Sequence, residues 1–343
     1  MRTFIIAEAG VNHNGSELTA LRLVEVAAQC GADAVKFQTF SADKLVRAGT
    51  ATAEYQKQST GVDDQYAMLK SLEMSESMHG KLVARCQELG IEFMSTPFDH
   101  EAADFLLDLG MKRVKVPSGE ITNEPFLKFL AQKGVPLIVS TGMATMDEIK
   151  RAVEVIRSTR ERAGLQGDLA DFLTILHCTS NYPAACADVN LLAMQTIRSV
   201  TGLPVGYSDH TLGIAVSTAA VAIGATVIEK HFTLDREMPG PDHKASLTPD
   251  ELKSLVASIR DVEAAMGSSV KAPTASEMPI RALVRRSVTT AHDVKAGQPL
   301  SLSDLCLLRP GTGIAPAELD GVVGRAAKRD IPAGTTLGWD DLL

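Results

Sequence analysis

Short apolar, β-rich runs alternate with amphipathic helical windows from the N-terminus to about residue 266, and this alternation constrains the fold more than any other feature. Repeated strand–helix units build parallel sheets, because each helix carries the chain back to the start of the next strand. The predicted strands are, in order, 4–10, 34–40, 91–97, 113–119, 136–142, 172–180, 204–210 and 226–232. The first helix is predicted to begin after its N-cap Ser16 and to end before Gly31.

Eight such units favour an α/β fold of the closed (β/α)8 type, the TIM barrel, which typically needs about 250 residues. The alternative is an open doubly wound sheet. That fold often carries a glycine-rich dinucleotide fingerprint after its first strand, and "AEAGVNHNG" at residues 7–15 does not fit the fingerprint. A long polar segment, residues 41–75, separates the second strand from its helix, and we expect it to form a wall of an active site.

The sequence changes character after the barrel region. We predict a catalytic barrel at residues 1–266, a Ser-, Pro- and Ala-rich linker at 267–283, and a small β-rich domain at 284–343. The small domain repeats itself, with "DVKAGQPLSLSDL" at 293–305 and "DIPAGTTLGWDDL" at 330–342, each predicted as two strands joined by an Ala-Gly turn. Since about 60 residues make a marginal core, we expect this domain to dock on something else.

Composition excludes several classes of protein. The net charge of −8 and the isoelectric point of about 5.5 argue against a nucleic-acid or anionic-membrane partner, since both favour basic surfaces. No apolar run approaches the roughly 20 residues of a membrane span, and the N-terminal apolar run is too short for a signal peptide. The five cysteines are scattered without a CxxC pair, which predicts a reduced, cytoplasmic protein.

Polar and ionisable residues follow every predicted strand at its carboxyl end, the edge that carries the active site in barrels of this type. Cations and oriented hydroxyl donors in a low-dielectric site bind phosphate or carboxylate well. The candidate cations and donors are Lys36, Lys115, Lys230, Thr96, Ser118, Ser140, Ser180 and Ser208. The alternative interpretation is that the lysines pair internally with Glu8, Glu120 or Glu229 and serve the structure alone.

His210 and His231 end the seventh and eighth predicted strands. Neighbouring strands lie about 5 Å apart, so two imidazoles at matching heights can share one metal ion. A lone histidine is more often a hydrogen-bonded core residue than a ligand, but two at equivalent strand ends form a candidate metal pair. Two protein ligands would leave coordination positions open for water and substrate, as a catalytic metal requires.

These residues belong to a set of motifs that resembles the sialic acid synthase family. The motifs run in order from residue 4 to about residue 340: "IIAEAGVNHNG", "AVKFQTF", "FMSTPFD", "VKVPSGEITN", "IVSTGMAT", "LHCTSNYPA", "GYSDHTLG", "EKHFTLDREMPGPDHKAS" and "LRPGTGI". Members of the family condense phosphoenolpyruvate with an N-acetylated aldose and release phosphate. The resemblance also implies that residues 284–343 form the antifreeze-like (SAF) domain of that family.

The resemblance implies a role at each matching position. His210 and His231 would bind a divalent metal, Mn²⁺ or Mg²⁺, and Glu8 and Glu120 would be the catalytic carboxylates. Phosphoenolpyruvate would bind Lys36, Thr96, Lys115, Ser118, Ser140 and Ser208, and the acceptor sugar would contact Gln38, Tyr182 and Asp242. Arg309 of "LRPGTG" would enter the barrel of the other subunit in a domain-swapped homodimer and bind the N-acetyl group of the sugar.

The acceptor predicted from the sequence is N-acetylmannosamine, which gives N-acetylneuraminate. The alternative is N,N'-diacetyllegionaminate synthesis from 2,4-diacetamido-2,4,6-trideoxymannose. Synthases that use N-acetylmannosamine can carry an Asn two residues before the tyrosine that matches Tyr182, and this chain has Ser180 at that position. Residues 53–60 and 68–75 look more like the sialic and legionaminic branches of the family than the pseudaminic branch. A metal-dependent barrel hydrolase and a non-catalytic sugar binder remain as rival functions.

Overall fold

The computed structural model describes residues 2–47, 49–52, 57, 61 and 63–343. Most of the segment 53–60, which was compared with the sialic and legionaminic branches, lies outside the described residues. The chain divides into two compact units, Met1–Gly267 and Ser268–Leu343. In the part of the chain that is described, none of the helices has the length and apolar content that crossing a bilayer requires.

Eight parallel strands form the centre of the first unit. They are β1 (Phe4–Gly10), β2 (Ala34–Thr39), β3 (Glu92–Pro97), β4 (Val114–Val116), β5 (Leu137–Ser140), β6 (Leu173–Cys178), β7 (Val205–Asp209) and β8 (Val227–His231). Hydrogen bonds join them in the order β3-β2-β1-β8-β7-β6-β5-β4, and β3 also lies beside β4, so the sheet curls into a nearly closed barrel. The predicted (β/α)8 barrel is confirmed, and the open doubly wound sheet is rejected.

Helices follow the strands, and local sequence explains where they begin. They are α1 (Glu17–Gln29), α2 (Ala42–Leu45), α3 (Gln65–Lys70), α4 (Glu76–Leu89), α5 (His100–Asp108), α6 (Glu124–Gln132), α7 (Met146–Arg162), α8 (Leu169–Phe172), α9 (Ala193–Thr201), α10 (Ala215–Ala222) and α11 (Pro249–Met266). The Ser16 side chain accepts from a backbone N–H of the first turn of α1, as predicted. Thr145 and Glu148 form a reciprocal capping box at the start of α7.

An apolar plug closes the inside of the barrel near the amino ends of its strands. It consists of Ile6, Ala34, Met94, Ile138, Leu176 and Val227, all buried. Residues two positions apart face the same side of a strand, so Lys36 follows Ala34 and Glu229 follows Val227 towards the carboxyl ends. The barrel interior therefore changes from apolar to polar along its axis, which leaves the carboxyl ends as the place for a site.

The second unit contains β9 (Ser287–Thr290) and β10 (Leu305–Leu308), which pair antiparallel, with helices α12 (Glu277–Val284) and α13 (Leu319–Val322). The internal repeat is visible in its pairing. Val294 and Ile331 occupy equivalent places in the two copies and exchange two backbone hydrogen bonds of 2.8 Å. Leu300 and Leu337 are the next equivalent pair, and both are buried in the core of this unit.

Each repeat contributes isolated bridges where two continuous strands were predicted. The reason is local, because each 13-residue copy contains a left-handed glycine and a short helical turn. The glycines are Gly297 and Gly334, both with φ of 78°. The turns are Leu302–Asp304 and Trp339–Asp341, and these two interruptions leave no room for a longer ladder.

Candidate active site

One cavity of about 300 Å³ lies at the carboxyl ends of the barrel strands. Most of the site residues predicted from the sequence line it. They are Glu8, Lys36, Gln38, Thr96, Lys115, Ser118, Ser140, Ser180, Tyr182, Ser208, His210, His231 and Asp242. The ring of polar strand ends that the sequence indicated thus faces a single space.

A buried polar floor, made of Lys36, Lys115, Glu8 and Glu229, occupies the bottom of this cavity. The Lys36 Nζ lies 2.8 Å from Glu8 Oε2 and 3.6 Å from Glu229 Oε2, and it donates a 2.7 Å hydrogen bond to Thr96 Oγ1. The Lys115 Nζ lies 3.4 Å from Glu229 Oε1. The lysines therefore pair internally and also line the cavity, so an incoming anion would compete with carboxylates already present.

The third candidate lysine does not belong to the floor. The Lys230 Nζ donates to Asp209 Oδ2 at 2.8 Å and to the Thr211 carbonyl oxygen at 2.5 Å. Successive side chains of a strand alternate between its two faces, and Lys230 lies between Glu229 and His231, which both line the cavity. The prediction that Lys230 offers its charge to the cavity is therefore wrong.

The two floor carboxylates differ in their affinity for protons. Burial, with the nearby Glu229 carboxylate adding to it, raises the pKa of Glu8 to about 7, although Lys36 opposes the shift. Burial would also raise the pKa of Glu229, but Lys115 and Lys36 outweigh it and lower that pKa to about 2. At neutral pH Glu229 is thus ionised, while Glu8 is able to take up or release a proton.

Glu229 was not among the predicted site residues, although it lines the cavity. Its Oε1 accepts a 2.9 Å hydrogen bond from the Ser208 hydroxyl, so it contacts three groups predicted to hold phosphoenolpyruvate. The signal that could have found it is strand alternation, because Glu229 precedes His231 by two residues and must share its face.

The two predicted metal ligands face each other, with their ring centroids 5.6 Å apart. The His210 Nδ1 donates a 2.8 Å hydrogen bond to the Thr179 carbonyl, which fixes the ring and leaves Nε2 as the nitrogen that could bind a metal. The His231 Nδ1 is buried and has no hydrogen-bond partner among the residues that the structure describes. Burial, with His210 adding to it, lowers the pKa of His231 well below its usual value, so this ring is neutral, the form that binds metals.

The residues present therefore fit a divalent cation. A neutral buried imidazole with an unpaired nitrogen, beside a second imidazole held in one tautomer, is a suitable donor set. Within the described residues no group of three or more His, Cys, Asp and Glu side chains is arranged for a metal. A cation bound here would complete its coordination with water or substrate.

The cavity lining also includes an apolar wall and two polar residues that were predicted to contact the sugar, Tyr182 and Asp242. Tyr182 packs against His210 with a centroid distance of 4.0 Å, and burial raises the pKa of Asp242 to about 6, with His210 opposing the shift. The apolar wall consists of Val11, Met68, Leu69, Leu72 and Phe98, which belong to one apolar cluster and line the cavity. Three of its members come from α3 and the residues just after it, so the described part of the 41–75 insertion does line the cavity, as expected.

Besides Lys230, two predicted site residues are not in the cavity lining. Glu120 ends the short turn Ser118–Glu120 after β4, and its carboxylate accepts a 2.6 Å hydrogen bond from Asn123. Arg309 directly follows β10 in the second unit. The roles implied for Glu120 and Arg309 stay predictions.

Comparison with known proteins shows the family of the chain. The sequence model of the NeuB family matches residues 23–271, and that of the SAF domain matches residues 285–343. An N,N'-diacetyllegionaminic acid synthase from Legionella pneumophila is 54% identical over 343 residues, which cover 100% of this chain and 95% of that protein. A synthase of the same name from Campylobacter jejuni is 45% identical over 330 residues, covering 96% of this chain and 97% of that one.

A solved structure extends the likeness to three dimensions. The crystal structure of N-acetylneuraminic acid synthetase from Leptospira borgpetersenii, in complex with citrate, is similar with a TM-score of 0.70. It is 34% identical and covers 82% of this chain and 90% of that chain. The chain therefore belongs to the NeuB family, carries a C-terminal SAF domain, and is an enzyme of the sialic acid synthase type.

Proposed function

We propose that this enzyme condenses phosphoenolpyruvate with 2,4-diacetamido-2,4,6-trideoxymannose and water to give N,N'-diacetyllegionaminate and phosphate. The relatives from Legionella and Campylobacter that carry this name are 54% and 45% identical, against 34% for the N-acetylneuraminic acid synthetase. This reverses the order of acceptors predicted from the sequence. N-acetylmannosamine becomes the second candidate.

The observation that carries the proposal is the composition of one cavity. Its floor offers two buried lysines and several hydroxyls to a phosphate and a carboxylate, the two anionic groups of phosphoenolpyruvate. The histidine pair and the apolar wall line the same cavity as that floor. A hydrolase would not need the lysine floor, and a sugar binder would not need the proton-exchanging Glu8.

The apolar wall supports the acceptor that we place first. That sugar has a methyl group at carbon six and an acetamido group at carbon four, where N-acetylmannosamine has hydroxyl groups. Burying a methyl group contributes about 0.8 kcal/mol, whereas a buried hydroxyl without a partner costs about 1–3 kcal/mol. Contact of these substituents with Met68 and Leu72 would therefore favour the diacetamido sugar by about tenfold or more in kcat/KM.

The proposed chemistry forms one carbon–carbon bond and breaks one carbon–oxygen bond. Carbon three of phosphoenolpyruvate attacks the aldehyde carbon of the open-chain sugar, and water adds to the electron-poor carbon two. Glu8 takes the proton that the water loses, and the aldehyde oxygen gains one to become a hydroxyl. Phosphate then leaves with the bridging oxygen, as carbon two becomes a ketone and its hydroxyl proton is released. Lys36 and Lys115 stabilise the phosphate throughout.

His210 and His231 would hold the divalent cation, Mn²⁺ or Mg²⁺. When bound, this cation would polarise the aldehyde oxygen of the sugar. The two side chains are suited to it because one ring is neutral with an unpaired nitrogen and the other is fixed by Thr179. Tyr182 packs on both rings and restricts their movement.

A domain-swapped homodimer is part of the proposal. In it, the SAF domain of each subunit brings Arg309 to the barrel of the other. Support comes from α12 in the second unit, where Met278, Ile280 and Leu283 are 52%, 59% and 67% exposed. Exposed apolar side chains on one short helix are typical of a surface that another chain covers.

The test uses phosphoenolpyruvate labelled with ¹⁸O at the bridging position, Mn²⁺ and each of the two sugars. We expect phosphate release only when a sugar is present, a higher kcat/KM with the diacetamido sugar, and the label in the phosphate. Phosphate release without sugar would indicate a hydrolase, and sugar binding without turnover would indicate a binder. A higher kcat/KM with N-acetylmannosamine would make neuraminate the product, and label retained on carbon would reject carbon–oxygen cleavage.

A further inference from the structure

A buried ion pair outside the cavity joins the two strands that carry the histidines. Asp209 is the last residue of β7 and Lys230 is the fourth of β8, and the two are direct partners in the β7–β8 register. Their charged groups lie 2.8 Å apart, and each residue is only 1% exposed. The proposed chemistry uses neither residue, and apolar residues of similar volume often stabilise a core as well as a buried ion pair does.

The Asp209 carboxylate has a complete set of donors. Its Oδ1 accepts from the backbone N–H and the hydroxyl of Thr211, both at 2.8 Å, and from the Tyr207 hydroxyl at 3.3 Å. Its Oδ2 accepts from the Ser217 hydroxyl at 2.6 Å and from Lys230. The carboxylate thus ties β7, the loop after it, α10 and β8 to one point.

The chain on both sides of His210 is anchored by this network. Asp209 precedes His210 and Thr211 follows it, and Lys230 binds both of them from β8. Lys230 also directly precedes His231, so its side chain links the residue beside the second histidine to Asp209 and Thr211. The Asp209–Lys230 pair therefore connects the residue that precedes His210 to the residue that precedes His231.

We propose that Asp209 and Lys230 are positioning residues that set the spacing of His210 and His231 for a divalent cation. This inference rests on the proposed cation site. A pair that served stability alone would change the unfolding transition and leave the cation affinity of the folded protein unchanged. A positioning pair changes the affinity as well, because outer partners that orient metal ligands alter metal affinity by about 10–100-fold when they are removed.

The experiment measures Mn²⁺ affinity without substrate, from the electron paramagnetic resonance signal of free Mn²⁺, for the full chain and its Lys230→Met and Asp209→Asn variants. We expect the dissociation constant to rise by about 10–100-fold in each variant that retains the circular dichroism of the folded protein. His79→Leu is the matched control. His79 is 1% exposed on α4, and it makes hydrogen bonds of 2.8 Å to Thr39 and Ser75, remote from β7 and β8.

The control is expected to keep its Mn²⁺ affinity within about twofold of the unaltered chain, because distant sites act independently. An unchanged affinity in folded Lys230→Met and Asp209→Asn, or an equal loss in His79→Leu, would overturn the positioning role. If the ion-pair variants do not fold, Ser217→Ala, which removes one donor to Asp209, must weaken Mn²⁺ binding severalfold for the proposal to stand. An unaltered chain that binds no Mn²⁺ rejects the cation site itself, which is a different result.

Discussion

Two glutamates of the same floor carry opposite proton affinities, and their neighbours explain why. Glu229 lies within reach of both lysines and accepts from Ser208, whereas Glu8 contacts one lysine and faces the charge of Glu229. Two carboxylates that share a buried site cannot both ionise freely, so one keeps its charge and the other holds a proton more tightly. This division gives each residue a separate role that mutation can test.

Glu8→Gln is expected to remove the acid limb of the pH profile of kcat/KM. The pKa of Glu8 is about 7, so it gains a proton as the pH falls through that value and can no longer accept one from water. In the unaltered enzyme kcat/KM therefore falls on the acid side of about pH 7, and in Glu8→Gln it is flat there and lower by about 10²–10⁴-fold. An acid limb that persists in the variant with the same midpoint would contradict the role given to Glu8.

Glu229→Gln is expected to strengthen the binding of inorganic phosphate and to lower kcat. The amide keeps the shape of the side chain but removes the negative charge that competes for Lys36 and Lys115, so an anion meets less opposition. Titration calorimetry with phosphate measures this as a dissociation constant about tenfold smaller. Glu92→Gln is the control, because Glu92 pairs with Arg113 at the amino end of β3, and a similar gain there would show that net charge alone is responsible.

The loop between β5 and α7 packs tightly against neighbouring segments that line the cavity. The Gly142 N–H donates a 2.9 Å hydrogen bond to the Ser118 hydroxyl, which belongs to the turn after β4. A Cβ at Gly142 would lie 2.1 Å from Ser180 Oγ and 2.8 Å from Ser118 Oγ. Three strand-end segments therefore meet at Gly142, where a larger residue would have to displace Ser118 and Ser180.

Gly142→Ala is expected to raise the KM for phosphoenolpyruvate by about tenfold or more. The added methyl group would displace Ser118 and Ser180. Small displacements of the groups that position a substrate have large effects on its use by an enzyme. Steady-state kinetics with varied phosphoenolpyruvate measures the change. Gly80→Ala is the control, since Gly80 lies on α4 outside the cavity lining and a Cβ there meets no atom within 4 Å, so it should leave KM near that of the unaltered enzyme. Equal kinetics for the two variants would reject the steric argument.

The second unit of the molecule has a hydrophobic core of its own. Its core of Val288, Val294, Leu300, Ile314, Val322, Ala327, Ile331, Leu337 and Leu342 is its own, separate from the barrel core. A unit with an independent core can dock on another subunit without rebuilding itself. The proposed domain swap uses this independence.

Co-expression of His231→Ala and Arg309→Ala subunits tests the swap. Each variant alone is expected to be nearly inactive. In a swapped heterodimer one barrel has both its histidines and Arg309 of the partner subunit, so random pairing restores about one quarter of the sites. Activity near that fraction, measured on the purified mixture, supports the swap, whereas no restoration would mean that Arg309 serves its own barrel or none.

Sequence periodicity determined the barrel, because strand and helix periods, caps and glycine stops are local properties and each strand lies within its predicted range. It also placed the polar residues at one edge, since all parallel strands end there. Side chains alternate between the two faces of β8, and this rule alone predicts that Lys230 points away from the cavity. These features follow from spacing along the chain.

The contacts and the electrostatics of the cavity depend on the tertiary structure. The pairing of Glu229 with Lys36 and Lys115, the pKa of Glu8 and the apolar wall all depend on distances between segments far apart in the chain. The network around Asp209 likewise joins two strands, a loop and a helix. Electrostatic energies vary with separation and burial, and the sequence specifies neither until the barrel closes.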